Sequence, residues 1–217
     1  MERLKKLGTI LVNKNVLYSL YDDLKQPQDK ISELERKGLI IRVKRSLYAI
    51  SPKIHNQKIS RELVANHLYG PSYVSFESAL SYYGLISEKV HTMRSVTAKW
   101  HKHYYTPLGH FEYVVMSAQY YPIGISREII DNSNAFLIAS PEKALCDKIV
   151  VTQNLQIRSV KEMQKYLEDD LRIDFSAVRN FDLDIIRQCA EVGRKKGELR
   201  LLLKIASKAP QVKNLRL

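Results

Sequence analysis

The feature that most constrains the fold is a pair of strand patterns near the N-terminus, joined by a basic turn. Apolar side chains alternate over residues 39–44, which is the two-residue period of a strand, and residues 47–50 predict the returning strand. Residues 44–46 form the predicted turn and include two cations. Gly38 stands just before the first strand, where a helix end favours a residue that tolerates positive φ. We therefore expect a hairpin with a cationic tip directly after a helix.

Three short helical patterns precede this hairpin. The first lies around residues 4–7, Asn13 or Asn15 can cap the second, and Pro27 suits the first turn of the third. The second pattern has apolar residues at i, i+3, i+4 and i+7, namely Leu17, Leu20, Tyr21 and Leu24. Three short helices followed by a hairpin with a basic tip are the layout of a winged helix-turn-helix domain, here at about residues 1–55.

The third helix and the hairpin are the predicted DNA-contacting parts of this domain. Such a helix enters the major groove while the wing reaches the flanking phosphates. Gln28, Ser32 and Arg36 lie opposite the helix's apolar side and are suited to base edges. The predicted phosphate-binding side chains of this region are Lys30, Lys37, Arg42, Lys44 and Arg45. Asp29 and Glu33 are not suited to phosphates, so the groove-facing surface is not simply basic.

The net charge of +12 lies at the two ends of the chain. Residues 1–60 carry 13 basic and 6 acidic side chains, residues 182–217 carry 9 and 4, and residues 61–181 are balanced. Clustered charge of this kind is typical of a surface that follows a phosphate backbone, and the alternative is a solvated basic tail. The predicted C-terminal phosphate contacts are Arg194, Lys195, Lys196, Arg200 and Lys204. We expect both basic ends to share one DNA-facing side.

The remaining chain, about residues 56–217, predicts a mixed α/β domain. Short β-rich segments occupy residues 89–137 and are separated by Gly, Pro and Asn. A helix is expected from Ser140, where a capping serine precedes Pro141 and Glu142. The pattern is helical from residue 159 onward, so the fold class is α+β with helices at the C-terminus.

Composition indicates a soluble, cytoplasmic protein without a membrane partner. The two cysteines, Cys146 and Cys189, exclude a disulfide framework and indicate a reducing compartment. No apolar run approaches the roughly 20 residues that span a bilayer. The N-terminal residues lack the apolar stretch of a signal peptide.

Five strings of the sequence carry a resemblance to a known family. They are, in order, KGLIIR at 37–42, RSLY at 45–48, PSYVSFESALSYYGLI at 71–86, SVT at 95–97 and ASPEKALCD at 139–147. As an ordered set, they resemble the AbiEi antitoxin family of type IV toxin–antitoxin systems. The resemblance covers about residues 10–150 and extends only loosely to the C-terminal helices. Ser46 stands where the family usually has Gly, so the wing turn is expected to differ in shape.

The resemblance implies a transcriptional repressor fused to an antitoxin domain. Members of the family bind double-stranded DNA at inverted repeats in their own promoter. They counter a separately encoded nucleotidyltransferase toxin without necessarily forming a stable complex with it. A protein-interaction adaptor, whose winged helix docks a partner protein without specific DNA binding, is the alternative.

No catalytic constellation is expected, so the chain is predicted not to be an enzyme and to use no cofactor. His101 and His103 would share one face of a strand, but no Cys or carboxylate is expected nearby to complete a coordination shell, so no metal site is predicted. Asp182 and Asp184 resemble a nucleotidyltransferase carboxylate pair without its preceding Gly-Ser, and a helix start is the preferred interpretation. The Asp…Glu-x-Lys spacing of a metal-dependent nuclease is not present.

Overall fold

The computed structural model describes residues 2–7, 11–131 and 134–208. Within these ranges the chain forms an α+β structure with eleven helices and two β-sheets. The expected fold class is therefore confirmed at this level.

The N-terminal sheet has three antiparallel strands in the order β1-β3-β2. Its elements and their surrounding helices are α1 (Glu2–Lys5), β1 (Leu11–Asn13), α2 (Lys14–Ser19), α3 (Pro27–Arg36), β2 (Ile40–Lys44), β3 (Leu47–Ile50) and α4 (Pro52–His55). The three helices and the hairpin that the sequence predicts are present, but α2 ends at Ser19, so Tyr21 and Leu24 lie beyond the helix on which the sequence placed them. Strand β1 was not predicted, because three residues carry too little periodicity to show a strand without its partner.

Local signals account for the boundaries in this region. The Asn13 side chain accepts a hydrogen bond from the backbone N–H of Asn15 at 3.1 Å and caps α2. Pro27 opens α3, and Gly38 adopts φ +64° just after that helix ends. Ser46 also adopts φ +64° in the hairpin turn, a conformation in which a side chain is strained.

The second sheet has six strands in the order β6-β7-β5-β4-β9-β8. The pairs β4–β9 and β5–β7 are parallel, and the other three pairs are antiparallel. The elements of this region are α5 (Arg61–Leu68), β4 (Ser72–Val74), α6 (Phe76–Tyr82), β5 (Thr92–Thr97), β6 (Lys102–Thr106), β7 (Gly109–Val115), β8 (Ile125–Ile129), β9 (Ala135–Ala139), α7 (Pro141–Val151), α8 (Val160–Lys165), α9 (Phe175–Val178), α10 (Leu183–Val192) and α11 (Lys196–Lys208). A π-helical turn, Tyr166–Asp170, continues α8.

Helices α5 and α7 pack on opposite faces of the six-stranded sheet. On β4, the hydroxyl of Tyr73 donates a hydrogen bond to Asp147 of α7 at 3.2 Å. Strand register places Tyr73 on the same face as Val114 of β7. The next residue back along β7, Tyr113, points to the other face, and its hydroxyl donates to the carbonyl of Ala65 in α5 at 2.6 Å. Helices α10 and α11 pack against α7, whereas the N-terminal sheet contacts the edge strand β6 and the end of α5.

The N-terminal sheet contributes to two hydrophobic cores. Tyr48 and Ile50 of β3 face a small core built from the N-terminal helices. Ala49, between them, faces the large core of the second region, together with Leu11 of β1 and Val43 of β2. Strand β3 therefore has one apolar side in each core, which fixes the N-terminal unit against the rest of the chain.

Candidate nucleic-acid interface

The outer side of α3 presents three exposed polar side chains in one stripe. Gln28, Ser32 and Arg36 are spaced four residues apart, while Ile31 and Leu34 on the inner side are buried. The Ser32 hydroxyl donates to the backbone carbonyl of Gln28 at 3.0 Å, so it presents its lone pairs outward as an acceptor. The predicted base-reading residues thus lie together on an accessible helix face.

A neighbouring stripe of α3 holds an ion-pair network. The ammonium groups of Lys30 and Lys37 both contact Glu33, the former at 2.8 Å. Hydrogen bonds from these two lysines lower the pKa of Glu33 to about 2. One carboxylate thereby offsets one of the two charges, which leaves this stripe with a single positive charge for a phosphate.

The β2–β3 hairpin, called the wing below, carries two exposed guanidinium groups at and near its tip. Arg42 lies on β2 and Arg45 lies in the turn beside Ser46. Among the described residues neither forms an ion pair, so both keep their full charge for an external anion.

Lys44 is engaged inside the protein, although the sequence groups it with these arginines. Its ammonium donates to the backbone carbonyl of Leu68, the last residue of α5, at 2.5 Å. It also lies 5.9 Å from the ring centre of Tyr104 on β6. Partial burial and the nearby charge of Lys99 lower the pKa of Lys44. Its amine joins the wing to the second region.

The C-terminal basic residues occupy a different layer of the structure. Arg194, Lys196, Arg200 and Lys204 are exposed at the α10–α11 junction and along α11. The ammonium of Lys195 donates to the carbonyl of Thr152, and burial lowers its pKa. Because α10 and α11 pack on α7 and the wing lies against α5, the two basic sets are on opposite sides of the six-stranded sheet. This separates them, in contrast to the shared side that charge distribution alone led us to expect.

A buried polar cluster lies between the sheet and α7. Lys143 and Asp147 are both fully buried, with their charged atoms 3.0 Å apart. Asp147 also accepts a hydrogen bond from the Ser75 hydroxyl at 2.6 Å, and Lys143 donates to the carbonyl of Tyr120 at 3.1 Å. Burial raises the pKa of Asp147 above its ordinary value, while the ammonium beside it acts in the opposite direction. Since both charged side chains are fully buried, the cluster is part of the core.

The two aspartates that resemble a nucleotidyltransferase pair serve a helix start. Asp182 accepts a hydrogen bond from the backbone N–H of Asp184 at 2.8 Å and caps α10, and Asp184 pairs with Arg187. The helix-start interpretation is confirmed.

His103 on β6 and His101, which directly precedes this strand, have a carboxylate neighbour that sequence reasoning missed. The Nε2 atoms of His101 and His103 are 2.8 Å apart, and Glu112 of β7 is the direct register partner of His103. One ligand atom from each of the three residues lies within 4.8 Å of the other two. The expectation that no carboxylate is near these histidines was therefore wrong. Counting residues back from the turn could have found this carboxylate. A two-residue turn at 107–108 places residue 112 opposite residue 103 in the hairpin.

Comparison of the chain with models of known protein families found no match, and comparison with curated proteins found none either. In the part of the chain that the structure describes, no helix combines the length and the apolar character needed to cross a bilayer.

Proposed function

We propose that this chain is a DNA-binding transcriptional autorepressor and the antitoxin of a type IV toxin–antitoxin system. In this proposal residues 1–55 form a winged helix-turn-helix domain, and residues 56–217 form the antitoxin domain. The observation that carries the DNA-binding part is the pairing of an exposed polar stripe on α3 with two free arginines on the adjoining hairpin.

The element order supports the winged-helix assignment. The elements follow one another in the order α1, β1, α2, α3, β2 and β3, and the three strands form one sheet. Helix α3 immediately precedes the β2–β3 hairpin. Gln28 and Arg36 offer an amide and a guanidinium, which are the groups that make bidentate contacts with adenine and guanine. Arg42 and Arg45 would contact the phosphates beside the groove, where charge sets affinity without reading sequence.

The antitoxin part of the proposal rests on the AbiEi-like strings at residues 37–48, 71–86, 95–97 and 139–147. The partner would be a nucleotidyltransferase toxin that is countered without a stable complex. Several residues in these strings have structural roles here. Glu77, for example, pairs with Arg94 at 2.9 Å and with Lys148, which ties α6 to the sheet and to α7. Glu77 therefore has a structural role in this region.

The test is a titration of the full chain against DNA from its own promoter, with a shuffled duplex of equal length as control. We expect binding to the promoter at least about 10³-fold tighter than to the shuffled duplex. The affinity should fall with salt with a slope of about −0.9 per phosphate contact. Equal binding to both duplexes, or no binding at low salt, would overturn the repressor assignment. A stoichiometric protein complex without DNA affinity would instead favour the adaptor alternative.

The antitoxin part needs its own experiment. The proposal requires a nucleotidyltransferase gene beside this one. Co-expression of the full chain with that toxin should restore growth, while size-exclusion chromatography of the mixture shows separate peaks. Failure to restore growth would exclude the antitoxin role and leave the DNA-binding result unaffected.

A further inference from the structure

We propose that His101, His103 and Glu112 bind a divalent transition-metal ion such as Zn²⁺. The site lies on the β6–β7 hairpin, and its existence does not depend on the proposed DNA-binding function.

Strand geometry brings the three side chains together. His101 and His103 are two residues apart, so they project to the same side, and Glu112 lies directly across the antiparallel ladder from His103. The two Nε2 atoms are 2.8 Å apart, and the three ligand atoms fit within 4.8 Å. Tetrahedral Zn²⁺ with bonds of about 2.0–2.1 Å separates its ligand atoms by about 3.3 Å. Because both histidines are exposed, their rings have room to separate by that half ångström.

The donor set matches the chemistry of the ion. Two imidazoles and one carboxylate are a ligand set of zinc sites that keep a fourth position open for water. The two facing Nε2 atoms are at hydrogen-bond distance, so one of them donates its proton to the lone pair of the other. A metal ion between them would accept a lone pair from each. The same contact also forms in a simple histidine–histidine hydrogen bond, so the experiment must separate the two cases.

Glu112 is held in place by groups behind it. The Nε of Arg94 donates to its Oε2 at 2.9 Å, which leaves Oε1 as the oxygen available to an ion. Arg94 is itself bound to Glu77, and Glu77 also pairs with Lys148. Two carboxylates thus face two cations in this network, so the positive charge of Arg94 is balanced locally. Hydrogen bonds of this kind orient a ligand carboxylate, as outer-shell partners do in known metal sites.

The test uses the full chain stripped of metal with a chelator. Titration with Co²⁺ should give the visible absorption of a four-coordinate site at one equivalent, and Zn²⁺ should displace it. We expect His103→Gln and His101→Gln each to weaken binding at least about tenfold, and Glu112→Gln to weaken it by a similar factor. Thermal melting of each metal-free variant would establish that it is folded.

His110→Gln is the matched control, because His110 is exposed on the same hairpin, packs edge-to-face with Tyr105 with ring centres 4.6 Å apart, and is not among the three grouped ligands. Its binding should equal that of the unchanged protein. Absence of saturable Co²⁺ or Zn²⁺ binding would overturn the proposal and leave the histidine pair as a hydrogen bond. Equal weakening by His110→Gln and His103→Gln, or full binding by Glu112→Gln, would overturn the three-ligand site.

Discussion

The ammonium of Lys44 donates a hydrogen bond to the carbonyl oxygen of Leu68 at 2.5 Å, and this contact joins the wing to the C-terminal end of α5. The last carbonyls of a helix have no partner within it and carry the negative end of its dipole, so a lysine there is favourable. A charge that the sequence assigns to the proposed DNA-binding surface is instead used to join the wing to α5.

We therefore expect Lys44→Met to act on stability and not on phosphate contacts. The free energy of unfolding should fall by about 1 kcal/mol, the value for a charged hydrogen bond reduced for partial exposure. The slope of log affinity against log salt should stay unchanged. Lys25→Met, at an exposed position of the same unit, is the control for removing a charge. If Lys44→Met lowers the slope by one unit, the residue contacts phosphate.

Arginines of the β2–β3 hairpin and of α3 should respond differently to truncation. Arg45→Ala should weaken binding to every DNA sequence alike and reduce the salt slope by about one unit per protomer. Arg36→Ala should instead relax discrimination at one base position by about 1–3 kcal/mol. Affinities measured on a panel of single-base operator variants separate these results. Uniform loss in both variants would show that α3 does not read bases.

Removal of the C-terminal cations should leave DNA binding intact. Arg200 and Lys204 lie on α11, across the six-stranded sheet from the wing, so the double variant Arg200→Ala/Lys204→Ala should bind promoter DNA within about twofold of the unchanged protein. Anisotropy titrations at two salt concentrations would measure this. A shallower salt slope would mean that the DNA path extends to α11.

Loss of the buried cation should destabilise the protein strongly at neutral pH. Lys143→Met leaves the fully buried Asp147 carboxylate without its counterion, which costs about 3–5 kcal/mol. Burial already raises the pKa of Asp147, and removal of the ammonium raises it further. The folded variant therefore takes up a proton at a higher pH than the unfolded chain does. Its deficit should be full at neutral pH and shrink as the pH falls through the folded-state pKa.

Denaturant unfolding at several pH values would measure this dependence. The double variant Lys143→Met/Asp147→Asn should recover much of the stability, because no buried charge remains. A deficit that is independent of pH would show that lost packing, and not the unpaired buried carboxylate of Asp147, causes the effect.

The wing turn offers a stabilising substitution. Ser46 has φ +64°, where glycine has no side-chain penalty, so Ser46→Gly should raise the free energy of unfolding by about 0.5–1 kcal/mol. Thermal melts would check the sign. Ser46→Ala keeps the strain and should give no gain, and a gain in that variant would point to the lost hydroxyl as the cause.

Local features of the fold were predictable because their signals are local. Asn13, Pro27 and Gly38 each act on the backbone within a few residues, and the helix and hairpin boundaries follow from them. The inner side of α3 follows equally directly from the spacing of Ile31 and Leu34.

The features that sequence reasoning missed depend on which elements meet. The role of Lys44 requires that the wing lie at the end of α5, and no periodicity shows that contact. The separation of the two basic ends depends on which face of the sheet each helix covers. Glu112 becomes a neighbour of His103 only through the hairpin register. Each of these features depends on contacts between residues that are far apart in the sequence. Charge counts and residue spacing describe only the order of residues along the chain and do not show which elements meet.

The two-sided burial of β3 bears on exchange of this N-terminal unit between proteins. A fragment cut at residue 55 would expose Ala49, Leu11 and Val43, which now face the large core. A chimaera that receives only residues 1–55 would therefore aggregate or unfold at a lower temperature. A graft that also carries α5 and the apolar surface beneath it would keep these side chains covered, so the smallest exchangeable unit is larger than the N-terminal sheet and its own helices.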